Sequence, residues 1–464
     1  MTALPRDLEL VDPSLNPSEK ALLKKFEKDI RTAADEAREG FRKMAEAFYQ
    51  IREKRLYREH GSFTEYFQKT FGYSRSYANR IADAGMFLEQ MSSREDILDN
   101  FDTEAHFRPL GTLRDNPEKL NQVFELLEDW SGFHDGSGVS PAEVRSAKAF
   151  LNPPTEASVS GEKKAKELAS KFVSLIEKTV DQLPAGTSGE ITRLFNQLKD
   201  KAAALGTPRT SKIEWTQVTW NPLQGCTRAS EGCDHCYAAK FVATRGADMY
   251  PGLAVQKGDT YAFTGKILLL PERLGDPLLN TTPTKYFVNS MSDLFHKNVP
   301  DKFISAVFDV MEKAHWHEFQ VLTKRPERMA AFSQTRYRSR DPLPNIWLGT
   351  STENQEWFDK RIEHLRQVKA AVRWLSCEPL LGAIKLSNMA ALDWIVVGGE
   401  SKGGRRMDKR WATSLRDQCK KAGVPFFFKQ WGDFNEEGIR QKETKEGGAT
   451  LDGKIHHEYP PVGA

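Results

Sequence analysis

The sequence predicts two structural classes in one chain: an all-α N-terminal domain over residues 1–150, and an α/β C-terminal domain over 213–434 built as a TIM-like (β/α) barrel. Three observations lead there. Up to about residue 150, apolar residues recur at helical spacing, as at Phe41, Met44, Phe48 and Ile51. Beyond Ser211, short apolar or aromatic runs such as Trp394-Ile-Val-Val397 and Pro425-Phe-Phe-Phe428 alternate with amphipathic helical patterns. Alternation of this kind implies parallel strands joined by right-handed crossovers. Finally, nearly every run ends in polar residues, as barrel strands do where they open onto an active site. An open doubly wound sheet is the alternative use of the same units.

The elements follow in chain order. Ser62 to Phe71 reads as a short helix, Gly72-Tyr73 as a turn, and Ser74 as the N-cap of a second helix beginning Arg75-Ser76-Tyr77-Ala-Asn79-Arg80. Helix, glycine turn and a helix with polar and basic first turns match a helix-turn-helix over about 62–86, whose second helix meets base edges. Arg75, Ser76, Tyr77, Asn79 and Arg80 are therefore candidate DNA contacts; a plain helical hairpin with solvated charges is the other reading. Residues 151–212 open with Pro153-Pro154 and continue as two amphipathic patterns, about 163–183 and 189–204, a helical linker. Strands are predicted at about 215–220, 266–270, 286–290, 319–323, 345–350, 372–377, 393–397 and 424–429, and helices at 301–314, 354–368 and 408–422. Residues 435–464 form a C-terminal tail.

Composition narrows the class. The chain has 464 residues, enough for two to three domains, with 39% hydrophobic residues to build a core. A net charge of +3 argues no nucleic-acid affinity by itself, so any DNA contact must come from a local patch. No apolar run suggests a signal peptide, and none approaches the roughly 18 residues of a membrane span. A cytoplasmic protein with free thiols and no membrane partner is expected.

Three of the five cysteines, Cys226, Cys233 and Cys236, fall within eleven residues with the spacing Cys-x6-Cys-x2-Cys. Thiolates so close converge on one soft metal centre. Structural zinc usually takes four protein ligands, whereas three cysteines on a [4Fe–4S] cluster leave one iron open. That open iron is how radical S-adenosylmethionine (SAM) enzymes hold their cofactor. Zinc remains the alternative, with His235 or Cys377 as fourth ligand. A disulfide is not expected, because pairing within the cluster leaves one thiol over.

Polar residues at the strand ends supply further candidates. Asn289, Ser290 and Asp293 follow the third strand; Lys324 and Arg325 the fourth; Thr350 and Glu353 the fifth; Cys377 and Glu378 the sixth; Gly398, Gly399 and Glu400 the seventh; Lys429 and Gln430 the eighth. Asp293, Glu378, Glu400 and Lys324 are candidate catalytic groups, and Ser290 and Thr350 candidate cofactor contacts. If the strands close, Asp293, Glu353, Glu378 and Glu400 share a mouth and need Lys324, Arg325 or Lys429 as partners. Lys324, Arg325, Arg405 and Arg406 are candidate phosphate receivers.

These stretches resemble a family. Thr219-Trp-Asn-Pro222, Gly225-Cys226, Gly232-Cys233-Asp-His-Cys236-Tyr-Ala, Phe287-Val-Asn-Ser-Met-Ser-Asp-Leu-Phe-His296, Leu322-Thr-Lys-Arg-Pro326, Leu348-Gly-Thr-Ser351, Leu375-Ser-Cys-Glu-Pro379, Val397-Gly-Gly-Glu-Ser401, Phe428-Lys-Gln-Trp-Gly432 and Leu451-Asp-Gly-Lys454 are similar to the phage and prophage three-cysteine-motif proteins. That family is regarded as related to radical SAM proteins, spore photoproduct lyase among them, with its substrate unassigned. The resemblance covers about 211–460. It implies a [4Fe–4S] cluster on Cys226, Cys233 and Cys236, and SAM as second cofactor, with Gly398-Gly399-Glu400 in the place of the element that binds the methionyl amino group. The sequence departs from the radical SAM pattern in its first gap of six rather than three, in His235 where an aromatic precedes the last cysteine, and in a Gly-Gly-Glu after a late strand. A glycine pair also suits a tight turn with positive φ. The N-terminal region, with Phe107-Arg-Pro-Leu110 and Val139-Ser-Pro-Ala-Glu-Val144, resembles the DNA-binding modules of plasmid and phage partition or replication proteins.

Together these readings predict a phage-type radical-SAM-like enzyme acting on nucleic acid or a nucleotide, tethered to DNA by its N-terminal domain. The alternative is a non-catalytic DNA-binding regulator or adaptor whose cysteine loop holds zinc.

Overall fold

The structure, a computed structural model, describes residues 17–92, 94–98, 101–134, 138–155, 211, 213–244, 252–387, 389–401, 403–441 and 448–461. The expected helices at 163–183 and 189–204 lie outside the described residues. The chain divides into two compact units, Met1–Asp129 with Gly138–Val144, and Trp130–Ser137 with Arg145–Ala464.

The first unit is helical. A long helix α1 (Pro17–Glu53) packs against α3 (Arg75–Gln90), with the short α2 (Phe63–Phe71) leading into it. The expected helix-turn-helix signals act as caps. Ser62 accepts from the Glu65 amide at 3.2 Å while the Glu65 carboxylate accepts from the Ser62 amide at 3.1 Å. Gly72 ends α2 at φ +75°, and Ser74 opens α3 by accepting from the Tyr77 amide at 3.2 Å. Phe48, Phe67, Ile81, Ala82 and Phe87 form the buried face.

The second unit is α/β. Its strands are β1 (Val218–Trp220), β2 (Leu223–Gln224), β3 (Ala254–Lys257), β4 (Thr260–Phe263), β5 (Leu268–Leu269), β6 (Lys285–Val288), β7 (Glu318–Thr323), β8 (Ile346–Ser351), β9 (Val372–Cys377), β10 (Trp394–Gly398), β11 (Phe426–Gln430), β12 (Thr450–Leu451) and β13 (Lys454–Ile455). Seven of them form one sheet in the order β1-β6-β7-β8-β9-β10-β11, parallel throughout. The predicted second strand, 266–270, does not join it. Only Leu268 and Leu269 extend before Pro271, and they pair antiparallel with β2. The eight-strand count is thereby corrected to seven, and no ladder among the described residues joins β11 to β1. The helices Asp301–Lys313, Gln355–Arg366 and Lys409–Ala422 stand where expected, and Pro326–Arg336 adds one that the sequence reading left out.

The sheet is curled. Trp215, just before β1, lies 5.3 Å from Trp374 on β9 and 6.2 Å from Trp394 on β10, ring centre to ring centre. Phe287, Trp347, Val396 and Phe427 complete this concave core. Fully buried strands such as β10 explain why the sequence shows continuous apolar runs rather than alternation.

The tail continues the sheet. The Phe428 amide donates to the His456 carbonyl at 2.8 Å and the Glu458 amide to the Phe426 carbonyl at 3.2 Å, so 456–458 run antiparallel along β11. Tyr459 then stacks on Trp394, and the Lys285 ammonium of β6 lies 3.9 Å from the centre of its ring. One residue thus spans from the last strands to the second.

Candidate active site at the carboxyl ends of the parallel strands

Because all seven strands run the same way, the loops that follow them emerge at one end of the sheet. The first carries the cysteines. Beyond β1 the chain passes through β2 to Cys226, makes a turn of 3-10 helix over Glu231–Cys233, and enters a helix at Tyr237–Thr244. All five cysteines are free thiols; the three of the loop are half-buried, while Cys377 and Cys419 are buried. Cys236 immediately precedes the helix, and its sulfur receives the Ala238 and Ala239 amides. Burial first, then the charge of Asp293, pushes the Cys226 thiol up to about 12, against the opposing pull of Arg325. The Arg325 guanidinium is 3.8 Å from that sulfur. Cys233 and Cys236 also act electrostatically on Cys226, so the three thiols are neighbours. Among the described residues no three His, Cys, Asp or Glu side chains stand in ready-made metal-holding geometry. In donor chemistry the loop still fits a soft metal group: three unpaired thiols, with a guanidinium and helix-end amides to offset thiolate charge.

The loop is latched to the sheet through Glu353, which has no exposed surface. Its carboxylate accepts from the Ser230 hydroxyl at 2.5 Å, from Arg361 at 2.9 Å and from the Lys324 ammonium. Burial alone raises a carboxyl pKa, yet Lys324 and Arg361 bring this one below the usual range. Gly232 lies directly on the same carboxylate: a β-carbon there would be 2.5 Å from its Cγ. Glu231 adds a second latch, accepting from Asn354 at 2.6 Å and from the Trp357 indole at 2.5 Å.

Each of the other strand-end acids has its own base. Asp293 accepts from Arg325 at 2.6 Å, from the Thr323 hydroxyl at 2.7 Å, and from the amides of Phe295 and Lys324. Glu378 faces Lys429 at 3.0 Å and takes the Trp215 indole at 3.3 Å. Glu400 is bound by Arg405 through two nitrogens, at 2.6 and 2.8 Å. Arg405 also donates to the Glu231 carbonyl, tying the loop after β10 to the cysteine loop. Tyr237, beside Cys236, donates to the Ser290 carbonyl at 2.7 Å and lies within electrostatic range of Glu378. Lys324 acts in the same way on Cys236. The acids, their bases and the cysteine loop therefore share one end of the sheet.

Other expectations change in detail. Lys324, Arg325 and Arg405 are committed to carboxylates, which leaves Arg406, an exposed side chain, as the phosphate candidate without such a pairing among the described residues. Ser290 donates to Asn221 at 3.1 Å, and Thr350, fully buried, donates to the Thr323 carbonyl at 2.8 Å. Gly398 and Gly399 do not adopt positive φ. What Gly399 provides is clearance, since a β-carbon there would be 2.1 Å from the Trp431 carbonyl oxygen. Cys377 sits 3.5 Å from the Thr352 hydroxyl, and burial pushes its thiol up to about 12. Sequence reasoning missed Arg361, which lies in the helix Gln355–Arg366, about two turns beyond the strand-end residue Glu353. It also missed His296, fully buried and hydrogen-bonded to Thr227 at 2.9 Å, although His296 closes a quoted motif.

In the helical unit, Arg75 and Ser76 are exposed and Tyr77, Asn79 and Arg80 half-buried. Arg80 is paired with Glu104 at 2.6 Å and donates to Ser76 at 2.6 Å, while Asn79 donates to the Arg75 carbonyl. Arg75 is thus the more available of the two basic candidates. No helix among the described residues is long and apolar enough to cross a membrane.

No curated protein and no solved structure matches the chain. Residues 210–460 match the model of a family described as proteins of unknown function, DUF5131. This match spans the parallel sheet, the cysteine loop and the tail together. The chain belongs to the DUF5131 family.

Proposed function

We propose that the α/β unit is a phage-type radical-SAM-like iron–sulfur enzyme acting on a nucleotide or nucleic acid, and that the helical unit tethers it to DNA. On this reading the curled parallel sheet is the greater part of a TIM-like barrel. The observation that carries the proposal is the loop after β1, which sets three free, neighbouring thiols beside a guanidinium at the end of the sheet where the strand-end acids and bases gather. Cys226, Cys233 and Cys236 would hold a [4Fe–4S] cluster. A cluster held there would supply the chemistry of one-electron reductive cleavage of a carbon–sulfur bond of SAM, with the electron coming from an external low-potential reductant and the products being methionine and a carbon radical able to take hydrogen from substrate.

The chain's own residues do the rest. Arg325 offsets thiolate charge at Cys226, the Ala238 and Ala239 amides do so at Cys236, and Glu353 with Glu231 fixes the loop over the sheet. Glu400, Glu378 and Asp293 are the carboxylates available to a sulfonium cofactor and its amino group, each held in place by its base. Anaerobic reconstitution tests this. About four iron atoms per chain are expected, lost on replacing Cys226, Cys233 or Cys236 with Ala and retained in Cys377→Ala and Cys419→Ala. Colourless protein with stoichiometric zinc would replace the enzyme by the DNA-binding adaptor; iron lost in Cys377→Ala would mean a fourth protein ligand and no open iron.

A further inference from the structure

Asn289 is the residue immediately after β6, next to Ser290, whose carbonyl receives the Tyr237 hydroxyl. Three facts about it combine. It is 3% exposed, its backbone takes φ +64°, and neither its carboxamide oxygen nor its nitrogen has a hydrogen-bond partner among the described residues. Among the described residues it is the one buried carboxamide with both polar atoms unengaged; Gln224, Gln320 and Asn345 each leave only one. Burying an amide without partners is costly, and a left-handed backbone adds strain for any residue with a side chain. If the conformation alone were needed, glycine would supply it without either cost.

The surroundings say what could complete it. Lys324, Arg325, Lys429 and Arg405 are paired with Glu353, Asp293, Glu378 and Glu400, so this end of the sheet presents balanced charge rather than a cationic pocket. A carboxamide offers one donor and one acceptor side by side and no charge. Its complement is a neutral edge with an acceptor beside a donor, which every nucleobase carries.

We infer that Asn289 is a substrate-recognition residue that pairs through its carboxamide with the edge of a nucleobase. This rests on the proposed nucleotide substrate and adds the residue and the part of the substrate it reads. Recognition is by hydrogen bonding to the base, with phosphate contributing little at this position.

The test is equilibrium binding of adenosine, guanosine, cytidine and uridine, and of their 5′-monophosphates, to the anaerobically prepared full-length protein, followed by tryptophan fluorescence. Wild type, Asn289→Gly and Asn289→Asp are compared, each with its thermal midpoint. Glycine accepts the left-handed backbone and removes the unpartnered amide, so Asn289→Gly should melt no lower than wild type. It should bind the preferred nucleoside about tenfold or more weakly. Asn289→Asp, which keeps the shape but loses the donor, should weaken it similarly. Wild type should bind nucleoside and monophosphate alike. If wild type binds a nucleoside and Asn289→Gly binds it equally, the inference fails and the proposed substrate class stands. If wild type binds none of the eight compounds, the nucleotide reading itself fails and takes the inference with it. A midpoint several degrees lower in Asn289→Gly would mean that the amide has a structural partner, which also overturns the inference.

Discussion

Replacing Glu353 with Gln keeps the shape of the side chain and removes its charge at the point where the cysteine loop meets the sheet. The carboxylate is fully buried and serves the Lys324 ammonium, the Arg361 guanidinium and the Ser230 hydroxyl at once. In the variant one amide N–H must face a cationic donor, and Arg361, with only 4% of its side chain exposed, keeps its charge without a counter-ion. Breaking a buried pair from one side costs about 3–5 kcal/mol. At roughly 2 °C per kcal/mol for a domain of this size, the midpoint should fall by about 6–10 °C. Glu356→Gln is the control: its partner Lys360 is on the same helix, both side chains are more than half exposed, and such pairs contribute about 1 kcal/mol or less. Calorimetry on the metal-free protein reads the stability, and iron content after reconstitution reads the loop. Glu353→Gln should load less iron than wild type although every cysteine is intact. A melting curve matching that of Glu356→Gln, with full iron loading, would refute the latch.

Three further outcomes are expected. His317 is buried, accepts from the Thr284 amide at 3.1 Å and donates to the Asn280 carbonyl at 2.8 Å; burial lowers its pKa to about 4. The folded state therefore refuses a proton that the unfolded chain binds near the ordinary 6.5, so this contribution is whole above pH 6.5 and drains away as pH falls toward 4, by about 3 kcal/mol in all. Urea titrations of wild type and His317→Gln across that window should converge toward acid; parallel curves would contradict the shift. For DNA, Arg75→Ala should weaken binding by the full-length chain and reduce the slope of log affinity against log salt by about one, with a smaller effect for Arg80→Ala because Glu104 already holds that side chain. A slope unchanged in both variants, or no binding at low salt, would leave the helical unit as a protein-interaction module. Finally, Tyr459→Ala removes the ring between Trp394 and Lys285 and should cost about 1–3 kcal/mol in chemical denaturation; no change would mean that the tail is not part of the packed unit.

Much of this architecture was legible because parallel strands buried on both faces appear as unbroken apolar runs. The stretch 394–397 could hardly be anything but an interior strand, and the caps Ser62, Gly72 and Ser74 carry their geometry in their side chains. The stretch 266–270 misled because its leucines look like any other short strand, and only pairing with Leu223-Gln224, more than forty residues earlier, decides its sheet. The helix Pro326–Arg336 was hidden by the polar run Thr323-Lys324-Arg325, which reads as strand end rather than helix entry. At the site, the acids and bases were visible as residue types, and the structure shows each acid facing a base. Partners from other elements were not visible: Arg361 reaches Glu353 from the next helix, and the vacant hydrogen-bonding capacity of Asn289 exists only once every neighbour is in place. The Gly398-Gly399 pair suggested a turn, whereas the fold uses the missing β-carbon to bring two backbones together.

The antiparallel run of 456–458 along β11 bears on solubility as well as on shape. The outer edge of a parallel sheet is a row of open amides and carbonyls, and here it is lined by Phe426, Phe427 and Phe428, a segment with every property that recruits strands from other molecules. Residues 456–458 occupy that edge and Tyr459 anchors them. Until this last stretch docks, a chain otherwise folded through β11 exposes an adhesive border, so shortened expression products that stop near residue 450 should collect in inclusion bodies even though every strand of the main sheet is present.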